Sequence, residues 1–445
     1  MVVDGHGGGA PRGARPARGE QVITRVLARR DALLAVGVWV AAVLPQLAIL
    51  LTAGRGFQPV GESVDEAAAL VDGLSTVANV GLLALCATLV VLGVRTTPWR
   101  QWPLPALLVL PWVVVVGTGL ATGSRPAAMT VLYPAIVAAA WVVRVSWQVV
   151  PVLGWLTAAT AALSIVAGLV VPQLARYQDY EGADAEKAGP LGILAGLLPS
   201  GNNLGLSLAV GVPSVLALRG AWRVVAGSLV LVAVVWSYSR GAWLAVVLVL
   251  AAAAVLAVVP ARHRALAAGV GMGAVALLAV ALPLAVSSAT AVANRGGYWI
   301  AGREGWAQAP VLGQGWDYYD RLAGSGDNLG GYAYHAHNQF VQLLVTGGLV
   351  LVVVVGALLV VGAVRAARSA EVGDVWPTLS VVAILAVGIV EVPFGVVDRT
   401  MFWPYVLVPL CVVLLGPRRP VGGERVDADT RPPATTAVGQ GGPRA

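Results

Sequence analysis

Apolar positions in this chain come in long uninterrupted runs, with neither the alternation of a half-buried strand nor the single apolar stripe of a soluble helix. Residues 230–235, 242–259, 265–286 and 349–364 are almost free of charge. Several runs reach the ~18–20 residues that a helix needs to cross a bilayer. A run that is apolar on every face describes a helix whose solvent is lipid. Open strands are excluded, because lipid leaves their edge amides unpaired. The pattern predicts an all-α integral membrane fold of about twelve transmembrane helices, at 32–52, 74–94, 104–121, 127–145, 149–171, 202–218, 224–238, 242–259, 265–286, 340–364, 376–394 and 402–415.

The polar breaks between the runs give the orientation. Alternate breaks are basic: Arg12, Arg15, Arg18, Arg25, Arg29 and Arg30 precede the first span, and Arg95 and Arg100, Arg144, Arg219 and Arg223, Arg262 and Arg264, Arg365 and Arg368, and Arg418 and Arg419 follow. The others carry acids: Glu62, Asp65, Glu66 and Asp72, then Asp179, Glu181, Asp184 and Glu186, then Glu304, Asp317, Asp320 and Asp327. The positive-inside rule places both termini in the cytoplasm of a multi-pass inner (plasma) membrane protein. Residues 1–30 and 417–445 are Gly/Pro/Arg-rich tails expected to be disordered, flanking a membrane domain over 31–416. The first apolar run has full spanning length, which reads as an uncleaved anchor. No internal repeat is evident. One outer connection, 287–336, is far longer than the rest and rich in aromatics (among them Tyr298, Trp299, Trp306 and Trp316). Long connections in compact domains usually carry function, although a belt of interfacial aromatics would give the same composition.

Composition agrees with lipid as the solvent. The chain is 58% hydrophobic and 11% charged, with a mean hydropathy of +0.80, whereas a soluble domain carries about 25% charged residues. The net charge of +7 is distributed as topology signals, so no nucleic-acid partner is implied. Cys86 and Cys411 lie far apart within apolar runs and read as core filler.

Three basic side chains fall at the outer surface in this topology: Arg240 in a tight SYSRGAW turn, Arg295 at the start of the long loop, and His337 in HAHNQF where the loop ends. Arginine forks bind phosphate oxygens bidentately and could neutralise a diphosphate leaving group. A histidine beside two fixed positive charges has its protonated form disfavoured and is available as a general base. The set fits attack by a hydroxyl on a carbon that bears a diphosphate. Arg240 could instead simply snorkel from a helix end. His335 and His337 form an H-x-H pair, but no third ligand at metal spacing accompanies them, so neither metal nor other cofactor is expected. Glu391 lies in an apolar run, where a carboxylate is costly. It could line a lipid-carrier groove, pair with a buried arginine, or stay protonated.

R-x3-W…P-x2-G-x-G, at Arg295, Trp299, Pro310, Gly313 and Gly315, is followed by H-N-x9-G at His337, Asn338 and Gly348. With the upstream GNNLG (201–205) and SRG (239–241), this order over residues 191–355 resembles the O-antigen ligase/polymerase family. The resemblance implies a C-type, glycosyltransferase-like helical membrane fold with one large extracytoplasmic loop. It also implies transfer of an undecaprenyl-diphosphate-linked glycan donor to a glycan or lipid acceptor, among membrane lipids and without metal. On the matching positions His337 would be the base, with Arg240 and Arg295 on the diphosphate. Asn202, Trp299, His335 and Asn338 are expected to contact substrate, His335 from a loosely held loop. A multi-span transporter of envelope components is the alternative, but it should carry ionisable groups near mid-bilayer, where Glu391 stands nearly alone.

Overall fold

The computed structural model describes residues 30–53, 65–97, 101–124, 128–177, 191–324, 335–397 and 400–417. Both tails, apart from Arg30 and Pro417, lie outside the described residues. So do Glu62, Asp179, Glu181, Asp184, Glu186 and Asp327 among the outer acids.

The described chain is almost wholly helical. In order, the helices are α1 (Arg30–Ala53), α2 (Asp65–Gly93), α3 (Pro103–Ala121), α4 (Leu132–Val142), α5 (Val150–Val170), α6 (Gly201–Leu216), α7 (Ala221–Trp236), α8 (Arg240–Val258), α9 (Ala261–Ala285), α10 (Ala291–Gln308), α11 (Tyr318–Gly324), α12 (Gln339–Glu371), α13 (Trp376–Gly388) and α14 (Leu407–Leu415). Among the described residues the only strands are β1 (Arg176–Tyr177) and β2 (Ile193–Leu194), an antiparallel pair. Many of these residues are β-branched and would favour strands in water. In an apolar solvent the helix wins because it pairs every backbone group within its own segment.

Each of the twelve apolar runs contains a helix, but among the described residues seven helices are long and apolar enough to cross a membrane by length and composition. The helices at 128–142, 201–216, 221–236, 376–388 and 407–415 are shorter. Three of them owe their position to protein rather than lipid, and one of these, α14, is buried at every residue. α6 is buried along nearly its whole length and packs against α5, α7, α8 and α13. α13 is likewise buried and packs against α8, α9 and α12. α13 also stops at Gly388, so Glu391 falls in the irregular stretch after it, not inside a helical span as the apolar run suggests.

The long outer connection is largely structured. Within α10 the backbone of Val292, Ala293 and Asn294 is left-handed, and regular helix begins only at Arg295. The guanidinium of Arg303 binds carbonyls at the end of α9, including Leu284 O at 3.2 Å and Val286 O at 2.9 Å, and so ties α10 to α9. Arg321 on α11 pairs with Asp317 and reaches Ser124 Oγ at 3.3 Å, after the end of α3. Burial raises the Asp317 carboxyl, but bonds from Ser124 and Arg321 outweigh it and hold the group below its ordinary value. Trp299, Tyr319, Ala336, Val341 and Val345 form a small core of their own.

The family motifs P-x2-G-x-G and H-N-x9-G meet in one junction. α12 kinks at Gly347 and Gly348. There Leu349 N donates to Pro310 O at 3.0 Å, and Val350 N to Val311 O at 3.2 Å. Gly348 has φ +61, and a Cβ on it would lie 2.7 Å from Gly313 N. Only glycine suits a positive φ at so close a backbone approach.

Candidate active site

Four helices begin at one place. α6 starts at Gly201 under a cap from Ser200, whose Oγ accepts from Asn203 N at 3.1 Å. α8 starts at Arg240 under Ser239, whose Oγ accepts from Ala242 N at 3.3 Å. The regular part of α10 starts at Arg295. α12 starts after Asn338, whose Oδ1 accepts from Val341 N at 2.9 Å. Ser and Asn at these positions are the side chains that satisfy otherwise orphaned first-turn amides, an effect of about 1 kcal/mol each. The starts pack tightly: a Cβ on Gly241 would lie 2.5 Å from Val390 Cγ2, which accounts for the glycine in SRG.

Between these starts lies a polar cleft of about 320 Å³, lined by Ser200, Asn202, Arg240, Asn294, Arg295, Tyr298 and His337, among others. Helix N-termini carry partial positive charge and unpaired amides, so the cleft favours an anion before any side chain is counted. Arg240 is exposed, and no described residue binds its guanidinium in a hydrogen bond or ion pair. Arg295 is anchored: its Nε donates to Val390 O at 3.2 Å, which aims the terminal nitrogens. The ring of Tyr298 stands 5.1 Å from that of His337. Burial raises the Tyr298 hydroxyl above its ordinary value, against the opposing charge of Arg295.

Thus four residues singled out in the sequence, Arg240, Arg295, His337 and Asn202, share one cleft. The other three sit behind it. Asn338 is fully buried, and its Nδ2 donates to Ala279 O at 3.0 Å and Ile389 O at 2.9 Å. Its amide joins α9, α12 and the end of α13, so the expected substrate contact is replaced by a packing role. Trp299 is fully buried in the loop core. His335 is 1% exposed, not the loosely held residue its sequence context suggests.

The partner of His335 is Glu391. His335 Nε2 lies 3.1 Å from Glu391 Oε1, and His337 Nδ1 lies 3.6 Å from Glu391 Oε2. The carboxylate therefore meets two histidines. Sequence spacing missed this third member of the H-x-H cluster because it comes from the far end of α13. The one available signal was a carboxylate in an otherwise apolar run. The three donor atoms lie within 4.8 Å of one another, close enough to hold a metal ion. The ring protons argue against that use. His337 N donates to His335 Nδ1 at 3.0 Å, so the proton of a neutral His335 is on Nε2. A metal on Nε2 would force that proton onto Nδ1, against the amide N–H.

Between α9, α12 and α13 lies an apolar cavity of about 370 Å³ lined by Met272, Ala279, Leu343, Leu359 and Ile384, among others.

Residues 225–356, from α7 to beyond the kink of α12, match the family model described as O-antigen ligase. This segment resembles the O-antigen ligase family. The match takes in SRG, the RGGYW stretch, the outer connection and HN, and it stops short of Glu391. With the apolar helices, it makes the chain a multi-pass membrane protein. No curated protein matches the chain.

Proposed function

We propose that the chain is a membrane glycosyltransferase, O-antigen ligase-like or polymerase-like, which moves a glycan from a polyprenyl diphosphate to an acceptor hydroxyl at the outer face of the inner membrane. The reading rests on one observation: Arg240, Arg295, His337 and Asn202, from separate elements, line a single polar cleft at converging helix starts. The family match over 225–356 supports membrane glycan processing as the broader activity. In this reading twelve segments span the membrane, with both termini inside and the cleft outside. The five shorter helices then lie partly within a protein-lined interior.

The chemistry follows from the cleft. Arg240 and Arg295 hold the diphosphate oxygens, and the helix starts add positive potential. His337 accepts the proton of the acceptor hydroxyl as the new C–O bond forms. The bond from the sugar carbon to the diphosphate breaks, and its electron pair leaves with the diphosphate. The charge that metals neutralise elsewhere is met by guanidinium groups and amides. Asn202 binds the glycan or the diphosphate from the start of α6. The apolar cavity has room for a stretch of lipid chain.

The two arginines provide the test. Arg295 is held through Nε and presents a fixed fork, so Arg295→Lys should lose most transfer despite keeping the charge, since an ammonium has no fork. Arg240 is exposed and unanchored by described residues, so Arg240→Lys should lose less than Arg240→Ala. The measurement is transfer in membranes at matched protein level, together with binding of undecaprenyl diphosphate to the purified protein. Wild-type transfer and binding in both Lys and Ala variants would end the diphosphate assignment. Sizing surface glycans in a deletion strain then separates the two activities. Single units attached without long chains mean a polymerase, and full-length chains left on the carrier mean a ligase.

A further inference from the structure

The irregular segment after α13 holds a buried carboxylate that the reaction above does not use. Glu391 is 2% exposed and His335 is 1% exposed, while His337 reaches the cleft. The contacts around the three groups point to where the protons sit. His335 Nδ1 accepts from the amide of His337 at 3.0 Å, so its Nε2 carries a proton and donates to Glu391 Oε1 at 3.1 Å. Val392 N donates to the same oxygen at 3.0 Å. Oε1 is thus occupied by two donors, and Oε2 is the oxygen that faces His337 Nδ1, at 3.6 Å. Nδ1 of His337 is buried. Nε2 is on the opposite edge of the ring, and His337 lines the cleft.

We propose that Glu391 is a positioning residue that holds the His337 ring proton on Nδ1, so that the ring presents its Nε2 lone pair toward the cleft, and that His335 is the lock that orients Glu391. The inference rests on the reading of His337 as the base and adds the device that makes it one. A neutral histidine has two tautomers, and only the one with its proton on Nδ1 can take a proton at Nε2. A carboxylate beside Nδ1 selects that tautomer and then stabilises the imidazolium formed during transfer. The same logic applies wherever an acid orients a catalytic imidazole. Among the described residues, the other titratable groups that line the cleft with His337 are Arg295 and Tyr298 on α10 and Arg240 and Tyr238 at the start of α8. The arginines bring positive charge, so among these neighbours Glu391 is the one anion able to offset the charge of an imidazolium. His337 itself has φ +48, a conformation held by the cap of Asn338 on one side and the bond to His335 on the other. Backbone held in so sparsely populated a region is a recurrent feature of functional sites.

Glu391→Gln tests this sharply, because the two donors on Oε1 dictate how the amide must sit. Its oxygen must take the Oε1 place, so its NH₂ faces His337 Nδ1 and donates to it. The isosteric change should therefore move the His337 proton from Nδ1 to Nε2 and remove the base from the cleft. The chain has four histidines, so ¹⁵N-histidine NMR of the full-length protein in lipid can resolve each ring, with His→Gln variants assigning the signals. The wild type should show His335 protonated at Nε2 and His337 at Nδ1. Glu391→Gln should switch His337 to the Nε2–H form and lower transfer at least about tenfold, with undecaprenyl diphosphate still bound. An unchanged His337 tautomer in Glu391→Gln overturns the proposal, even if His337 proves essential. A switched tautomer with undiminished transfer leaves the lock intact and removes His337 as the base, so the two failures are distinct. Should Glu391→Gln not fold, the wild-type spectrum decides alone: a proton on Nδ1 of His335 or on Nε2 of neutral His337 rejects the arrangement.

Discussion

His335 and His337 are two residues apart and chemically identical, yet the fold gives them opposite surroundings. His337 is 15% exposed and lines the cleft; His335 is 1% exposed and spends both ring nitrogens on internal partners. A substrate contact from a loosely held loop contributes little, so the sequence alone predicts that His335→Ala keeps substantial activity. Its burial changes that expectation. Removing its ring frees Glu391 Oε1 from one of two donors and takes away the acceptor of the His337 amide. Transfer should therefore fall well below wild type in His335→Ala, with partial activity remaining because the base itself survives. His337→Ala should fall further, by the ~10²–10⁴-fold that a positioned base contributes, while undecaprenyl diphosphate still binds through the arginines. Assays in membranes at equal protein level read both. A His337→Ala variant more active than His335→Ala would assign the base to the wrong ring.

Elements explain why the motifs have the glycines and amides they do. The outer connection is held to the membrane helices at three points: Arg303 on the end of α9, Arg321 and Asp317 beside the end of α3, and the 310–315 stretch on the kink of α12. The last matters most for the site, because the first turns of α12 run from that kink back to Asn338 and His337. Gly348→Ala would put a Cβ at φ +61 against Gly313 N, 2.7 Å away. Strain of this kind costs about 1–3 kcal/mol, and the contact adds to it. The expected result is a lower melting temperature of the purified protein and new protease cleavage in 309–324, with loss of transfer. Gly227, on α7, has open space around its Cβ position, so Gly227→Ala should neither destabilise the protein nor lower transfer. Equal behaviour of the two variants would mean that the junction does not hold the site.

At the scale of the whole molecule, the cleft draws together residues that the charge pattern assigns to one side of the membrane: the starts of α6 and α8, the loop helix α10 and the start of α12. A cysteine at Ser239 should accordingly react with a membrane-impermeant thiol reagent in intact cells. Ser239 is buried under its own cap, so a second probe at exposed Asn202 guards against a false negative. A cysteine at His263, in the basic turn that opens α9, should react only after lysis. Labelling of position 263 from outside would invert the orientation and put the cleft on the wrong face.

The sequence by itself determined that the chain is helical and membrane-embedded, because a helix in lipid needs only a long apolar run, and that is a local property. It also singled out Arg240, Arg295, His337 and Asn202, because charge and amide groups are conspicuous against an apolar background and their motifs fall in a recognisable order. Only the tertiary structure decided which motif residues face the cleft. Asn338 and Trp299 belong to the same motifs as His337 and Arg295, yet packing buries them, and burial depends on neighbours from α9, α13 and the loop that no local pattern encodes. The pairing of Glu391 with His335 and His337 lay equally out of reach. It joins residues more than fifty positions apart across the end of α13, a distance in sequence that no local pattern bridges.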